Sequence, residues 1–215
     1  MVAETFAALA RQILERPPRL GPVRLVAVDG PSGAGKSRFA TRLGKVADIP
    51  VVHTDDLLDG WDDQFTFWER LEREVLGPLR RGETATYQRY QWHLGKFAGP
   101  PLIVEPAPAV LLEGVSAARR EIRPELSLAV FVTAPSDLRW RRAVARDGDD
   151  SVAFRAYLGR WRAAENRHFA EDETAEAADL IVDGAAMTAD DRFAPLRERR
   201  QERESWRSGQ DGVDS

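Results

Sequence analysis

The run Gly30-Pro31-Ser32-Gly33-Ala34-Gly35-Lys36-Ser37 has the spacing G-x-x-x-x-G-K-S. Glycines let successive amide N–H groups turn inward with no Cβ in the way. The result is a concave nest for phosphate oxygens, reinforced by the positive end of the helix that follows. Lys36 can reach the outer phosphates as a mobile point charge, and the Ser37 hydroxyl can ligate Mg²⁺. Gly30, Ser32, Gly33, Ala34, Gly35, Lys36 and Ser37 are therefore the candidate nucleotide-binding residues. The bland alternative is a glycine-rich turn that binds nothing. The flanks favour the phosphate loop. Residues 23–28 form an apolar run that reads as a buried strand, and residues 37–46 carry Phe39, Ala40, Leu43 and Val46 on one side of a helix.

The elements that must hold this loop alternate. Short apolar runs at 49–53, 109–112, 126–132 and 180–182 read as further strands. Helical spacing covers 4–15, 65–79, 136–146 and 152–169, and a last helix is expected from Asp191. Pro17 and Pro18 end the first helix. Strands alternating with helices predict an α/β fold, a five-stranded parallel sheet flanked by helices. Ligands of such sheets bind beyond the carboxyl ends of the strands.

Residues just past each strand are thus the ones to inspect. The second strand ends in His53-Thr54-Asp55-Asp56 and the third in Glu113-Gly114. Phosphoryl transfer needs a carboxylate to orient the acceptor hydroxyl, a held Mg²⁺, and cations around the transferring group. Adjacent aspartates in extended chain point to opposite sides, so one of the pair faces the nucleotide. Asp55 is the favoured base and Asp56 the alternative, with an N-cap or turn as the bland reading of the pair. Glu113 at the end of a buried strand needs a partner, which Mg²⁺ or a salt bridge would supply.

Arg139, Arg142 and Arg146 sit at i, i+3 and i+7, on one helix face. They face phosphates or solvent. Tyr87-Gln88-Arg89-Tyr90-Gln91-Trp92-His93 suggests either an acceptor pocket or a small strand packing its aromatics. Alternation would put Tyr90 and Trp92 on one face and Arg89, Gln91 and His93 on the other. Trp61 could join that pocket, and Arg89 would suit an anionic acceptor. His53 reads as a packing or hydrogen-bonding residue and His168 as a surface helix residue. No histidine grouping resembles a metal site.

At 215 residues, with 43% hydrophobic and 31% charged residues, the chain fits one domain. That domain is expected over 1–197, with the first helix leading into it and a charged, flexible tail over 198–215. A net charge of −4 argues against a nucleic-acid surface. There is no cysteine, no apolar run long enough for a membrane, and no signal-like start, so a cytoplasmic enzyme is expected. The oligomeric state is open.

The chain resembles the uridine kinase family of P-loop kinases over about residues 23–184. The likeness is carried by residues 28–37, Thr54-Asp55-Asp56, Tyr90-Gln91-Trp92-His93, Leu111-Leu112-Glu113-Gly114-Val115, Arg139-Trp140-Arg141-Arg142, Arg146-Asp147 and Ala178-Asp179-Leu180-Ile181-Val182. It implies an NMP-kinase-like sheet, ATP and Mg²⁺ as cofactors, and transfer of the γ-phosphate to a hydroxyl, with a nucleoside of the uridine or cytidine kind as acceptor. By position, Asp55 would be the base. Ser37 and Glu113, with Asp55 beside them, would hold Mg²⁺. Tyr90 and His93, with Trp92, Arg89 and Trp61, would touch the acceptor. Arg142 and Arg146 would act from a small lid that closes to exclude water. The departures are Leu57-Leu58 in place of an aromatic pair, Gln91 in place of an aspartate, and Gly148-Asp149-Asp150 in place of an arginine run. They leave the phosphate machinery intact and alter the acceptor pocket. A kinase for pantothenate, a sugar or a sugar phosphate is the alternative. So is a nucleotide-binding regulatory protein with little catalysis.

Overall fold

The computed structural model describes residues 3–147 and 151–198. The tail expected over 198–215 lies outside the described residues save for Glu198, as does Gly148-Asp149-Asp150. The centre is a six-stranded sheet. Its strands are β1 (Arg24–Asp29), β2 (Val51–His53), β3 (Ala109–Glu113), β4 (Leu126–Thr133), β5 (Leu180–Asp183) and β6 (Pro195–Glu198). The spatial order is β6-β5-β4-β1-β3-β2. The strands β1 to β5 are parallel, as the apolar runs predict. The strand β6 adds an antiparallel edge to β5. It stands where the sequence predicts a last helix. Pro195 opens it, a position that asks for no ladder N–H on that residue.

Helices cover both faces because β1, β3 and β4 are apolar along nearly their whole length. On one face lie α1 (Phe6–Glu15) and α2 (Lys36–Ala47). Thr5 caps α1 by accepting the Ala8 N–H at 3.2 Å. The rings of Phe6, Phe39 and Phe193 meet there at 5.1–5.4 Å. The other face is packed by a helical run α3 and by residues around Ile122. That run joins Trp68–Leu71, a π-helical Glu72–Leu76 and Gly77–Arg80. Pro78 explains the wide turn. It brings no N–H and its ring would strike the carbonyl four residues back. The Gly77 N–H accordingly reaches the Glu72 carbonyl, five residues back.

Beyond α3 the chain makes two small hairpins, Ala85–Tyr87 with Leu102–Val104 and Tyr90–Gln91 with Lys96–Phe97. After β4 come α4 (Ser136–Asp147) and α5 (Val152–Asp172). Among the described residues no helix is long and apolar enough to cross a membrane.

Candidate active site

The carboxyl ends of β1, β2, β3 and β5 open on one cavity of about 760 Å³. The strand β1 runs into the glycine loop, and α2 begins at Lys36 with Gly35 as its N-cap at φ +106°. Only a residue without Cβ adopts that angle freely, and it turns the loop's amides toward the helix start. The strand β5 delivers Gly184 against the loop. A Cβ there would fall 1.8 Å from the Ala34 carbonyl oxygen. Arg142 of α4 donates to the Gly33 and Gly184 carbonyls, each at 3.1 Å.

Ser32, Gly33, Gly35, Lys36, Ser37, Asp55, Glu113, Arg142, Arg146, Trp61 and Trp92 all line this cavity. Sequence reasoning named them from six separate segments. Gly30 and Ala34 are buried behind the loop. Arg89, Tyr90 and His93 do not line the cavity. Tyr90 packs edge-on between Trp92 and Phe97, at 5.1 and 5.2 Å. The alternation expected through His93 stops at Gln91, where residues 92–95 turn, so His93 ends exposed.

The Ser37 hydroxyl donates to Glu113 Oε1 at 3.1 Å, and His53 Nδ1 donates to Glu113 Oε2 at 2.6 Å. Burial pushes the Glu113 carboxyl up. The His53 bond, the Lys36 charge and the Ser37 bond outweigh it and hold the group below its ordinary range. The Glu113 bond in turn raises His53. Lys36 is nearly buried and its Nζ donates to the Pro31 carbonyl at 3.3 Å.

Asp55 follows β2 on a 3-10 turn, Thr54–Asp56. It is exposed and lines the cavity. Desolvation raises its carboxyl, with Lys36 pulling down and Glu113 pushing up. Asp56, beside it, is half-buried and pairs with Arg89 at 2.9 Å. The cations Lys36, Arg38, Arg139, Arg142, Arg146 and Arg162 share the wall. So much positive charge in a concave site suits a polyanion.

Sequence reasoning missed several contributors. Glu165 of α5 is fully buried. It accepts the Ser32 N–H at 3.2 Å, the Ser32 hydroxyl, and Trp161 Nε1–H at 2.8 Å. Leu158 and Glu165 lie seven apart and are the buried residues of α5, with Trp161 between them on the same face. Trp161 also meets Trp61 at 5.6 Å, and Tyr157 meets Trp61 at 5.0 Å. Asp29 is the other omission. It ends β1 fully buried and accepts N–H groups from Gly30, Ser116 and Ala118. His168, expected on the surface, packs against Phe65 at 4.9 Å.

Ser37, Glu113 and Asp55 offer hard oxygen donors of the kind Mg²⁺ takes alongside substrate phosphates. Among the described residues no group of three or more His, Cys, Asp or Glu side chains could hold a metal by itself.

No family model matches the chain. Over 133 residues it is 32% identical to inorganic pyrophosphatase TTM2 of Arabidopsis thaliana. The match takes in 57% of this chain, which spans only 20% of that protein. Among solved structures, a possible uridine kinase from Bacillus stearothermophilus superposes with a TM-score of 0.60 at 17% identity, over 82% of this chain and 96% of that one. A protein proposed as a fructose transport system kinase, from Silicibacter sp. TM1040, gives a TM-score of 0.58 at 22% identity, over 81% and 95%. The fold is therefore that of uridine kinase-like P-loop proteins, an α/β sheet flanked by helices.

Proposed function

We propose that the chain is an ATP-dependent kinase, one catalytic domain over 1–197, that moves the γ-phosphate to a hydroxyl of a small molecule. A nucleoside is the favoured acceptor. The observation that carries the reading is the cavity itself. It sets Asp55 beside Lys36 and the Ser37–Glu113 pair, with arginines of α4 across from them.

Asp55 takes the proton of the attacking hydroxyl as the acceptor oxygen bonds to the γ-phosphorus. The bridging oxygen leaves with ADP. Desolvation raises this carboxyl above its ordinary range, the direction that strengthens a base. Loop amides and Lys36 grip the phosphates, and Arg142 and Arg146 neutralise charge on the transferring group. Mg²⁺, when bound through Ser37 and Glu113, would offset charge on the β- and γ-phosphates. Acceptor contacts come from Trp61 and Trp92 on the cavity wall. Tyr90, Arg89 and His93 act behind or beside them.

The neighbours' names, a uridine kinase and a fructose transport system kinase, mark the acceptors to test first. The assay is ADP release from Mg²⁺-ATP with and without nucleosides, sugars and vitamin precursors. Acceptor-stimulated release, lost in Lys36→Ala, supports the reading. ATP binding with no release across the panel would instead leave a nucleotide-binding regulatory protein.

A further inference from the structure

The two ends of the cavity differ in chemistry. Arginines crowd the phosphate end. Asp56, His53, Leu58 and the indoles of Trp61 and Trp92 line the cavity too, and Lys36 and Arg146 are near enough to pull the Asp55 carboxyl down. Trp61 and Trp92 are 40% and 39% exposed, and their rings sit 4.7 Å apart, so together they give a broad apolar face.

Arg89 could have served an anionic acceptor at this end. It does not line the cavity, and its Nε is held by Asp56 Oδ1 at 2.9 Å. Asp56 does line it, with a side chain only 15% exposed. Its Oδ2 is buried and has no hydrogen-bond partner among the described residues. A buried acceptor without a donor is costly, and a carboxylate oxygen can take donors only. Arg142 is held at the loop by Nη1 bonds to two backbone carbonyls, and Arg162 bonds Ser136 while lying over Trp140.

Resting on the kinase reading, we infer that Asp56 is a specificity-determining residue. Anchored by Arg89, it accepts a hydrogen bond from a second hydroxyl or N–H of the acceptor, whose ring lies against Trp61 and Trp92. The acceptor is then an uncharged, hydroxyl-bearing ring compound. Adjacent carboxylates at positions 55 and 56 repel an acceptor that already carries a phosphate or carboxylate. Orientation by a second hydrogen bond is what separates the reacting hydroxyl from its neighbours on such a ring.

The test uses matched pairs: uridine against uridine 5′-phosphate, fructose against fructose 6-phosphate, with pantothenate as a further anion. Wild type should turn over a neutral member at least tenfold more efficiently, by kcat/KM, than its charged partner. Asp56→Asn and Asp56→Glu should each raise the acceptor KM at least tenfold. Their KM for ATP should stay within about twofold, a split that a merely structural role would not produce. Thermal melts check that both variants fold. The inference is overturned if charged acceptors are used as well as neutral ones. It is equally overturned if both folded variants keep the wild-type acceptor KM. The kinase reading survives either result. Turnover of no member of any pair removes the kinase reading, and this inference with it.

Discussion

Asp29 joins the phosphate loop to the chain that follows β3. Its Oδ1 accepts the Gly30 N–H at 2.7 Å and the Ser116 N–H at 3.1 Å, and its Oδ2 accepts the Ala118 N–H at 2.8 Å. Burial pushes its carboxyl up to about 7, against the pull of those N–H groups and of Lys36. In the unfolded chain such a group titrates near about 3.9. The unfolded chain therefore ionises first. The stability tied to this acid is fully present below about pH 4 and drains away as pH rises through about 7. At about 1.36 kcal/mol per unit, the gap of roughly three units amounts to about 4 kcal/mol. Roughly 2–3 kcal/mol of it falls between pH 5 and pH 8. Asp29→Asn does not titrate. Its amide can still accept the Gly30 and Ser116 N–H groups, but its NH₂ cannot accept from Ala118. At pH 5 it should be about 1–3 kcal/mol less stable than wild type. At pH 8 that deficit should shrink by roughly 2–3 kcal/mol and can change sign. Urea unfolding of both proteins at pH 5, 6, 7 and 8 measures the difference, and other titrating groups cancel in it. Parallel curves would refute the reasoning. A deficit that grows with pH would show that the three N–H bonds outweigh desolvation.

Other perturbations bear on the site. Lys36→Ala should weaken Mg²⁺-ATP binding at least tenfold by calorimetry and leave the far-ultraviolet spectrum unchanged, since the side chain's bond within the protein is one contact to Pro31. Asp55→Asn should cut acceptor-dependent kcat by about 10²–10⁴ with ATP affinity within a few-fold. Near-normal turnover would move the base to Asp56. Gly184→Ala should displace the phosphate loop, because the added carbon would overlap the Ala34 carbonyl. ATP affinity should fall even where the melting temperature holds. Leu111→Ala, at a fully buried place in β3, should cost about 2–5 kcal/mol of unfolding free energy in urea titration. A smaller cost would mean that the two flanking layers close over the gap.

The parallel strands were legible because strands covered on both faces must be apolar through their middles, and 25–28, 109–112 and 128–132 are. Asp55 and Glu113 followed from their positions at strand ends. The strand β6 was not legible. Its pairing with β5 is long-range, and the charged residues from Arg197 onward mimic a solvated helix. Pro195 was the local hint against that. Tyr90 and Trp92 meet as the alternation expects, but past Gln91 a two-residue strand gives alternation no length to run, and His93 sits in a turn. Glu165 escaped because α5 has almost no separation of polar and apolar faces, so a carboxylate on its inner side carries no contrast.

The contact between Trp161, Glu165 and Ser32 has an optical consequence. An indole whose N–H bonds a carboxylate beside the phosphate loop reports on that carboxylate's surroundings. A phosphate arriving at Ser32 competes for the same donors, so nucleotide titration should move the emission of this tryptophan. Subtracting the Trp161→Phe signal isolates it from the remaining indoles. The protein thus contains its own dye for the loading of its anion cradle, readable by stopped-flow mixing with no label attached.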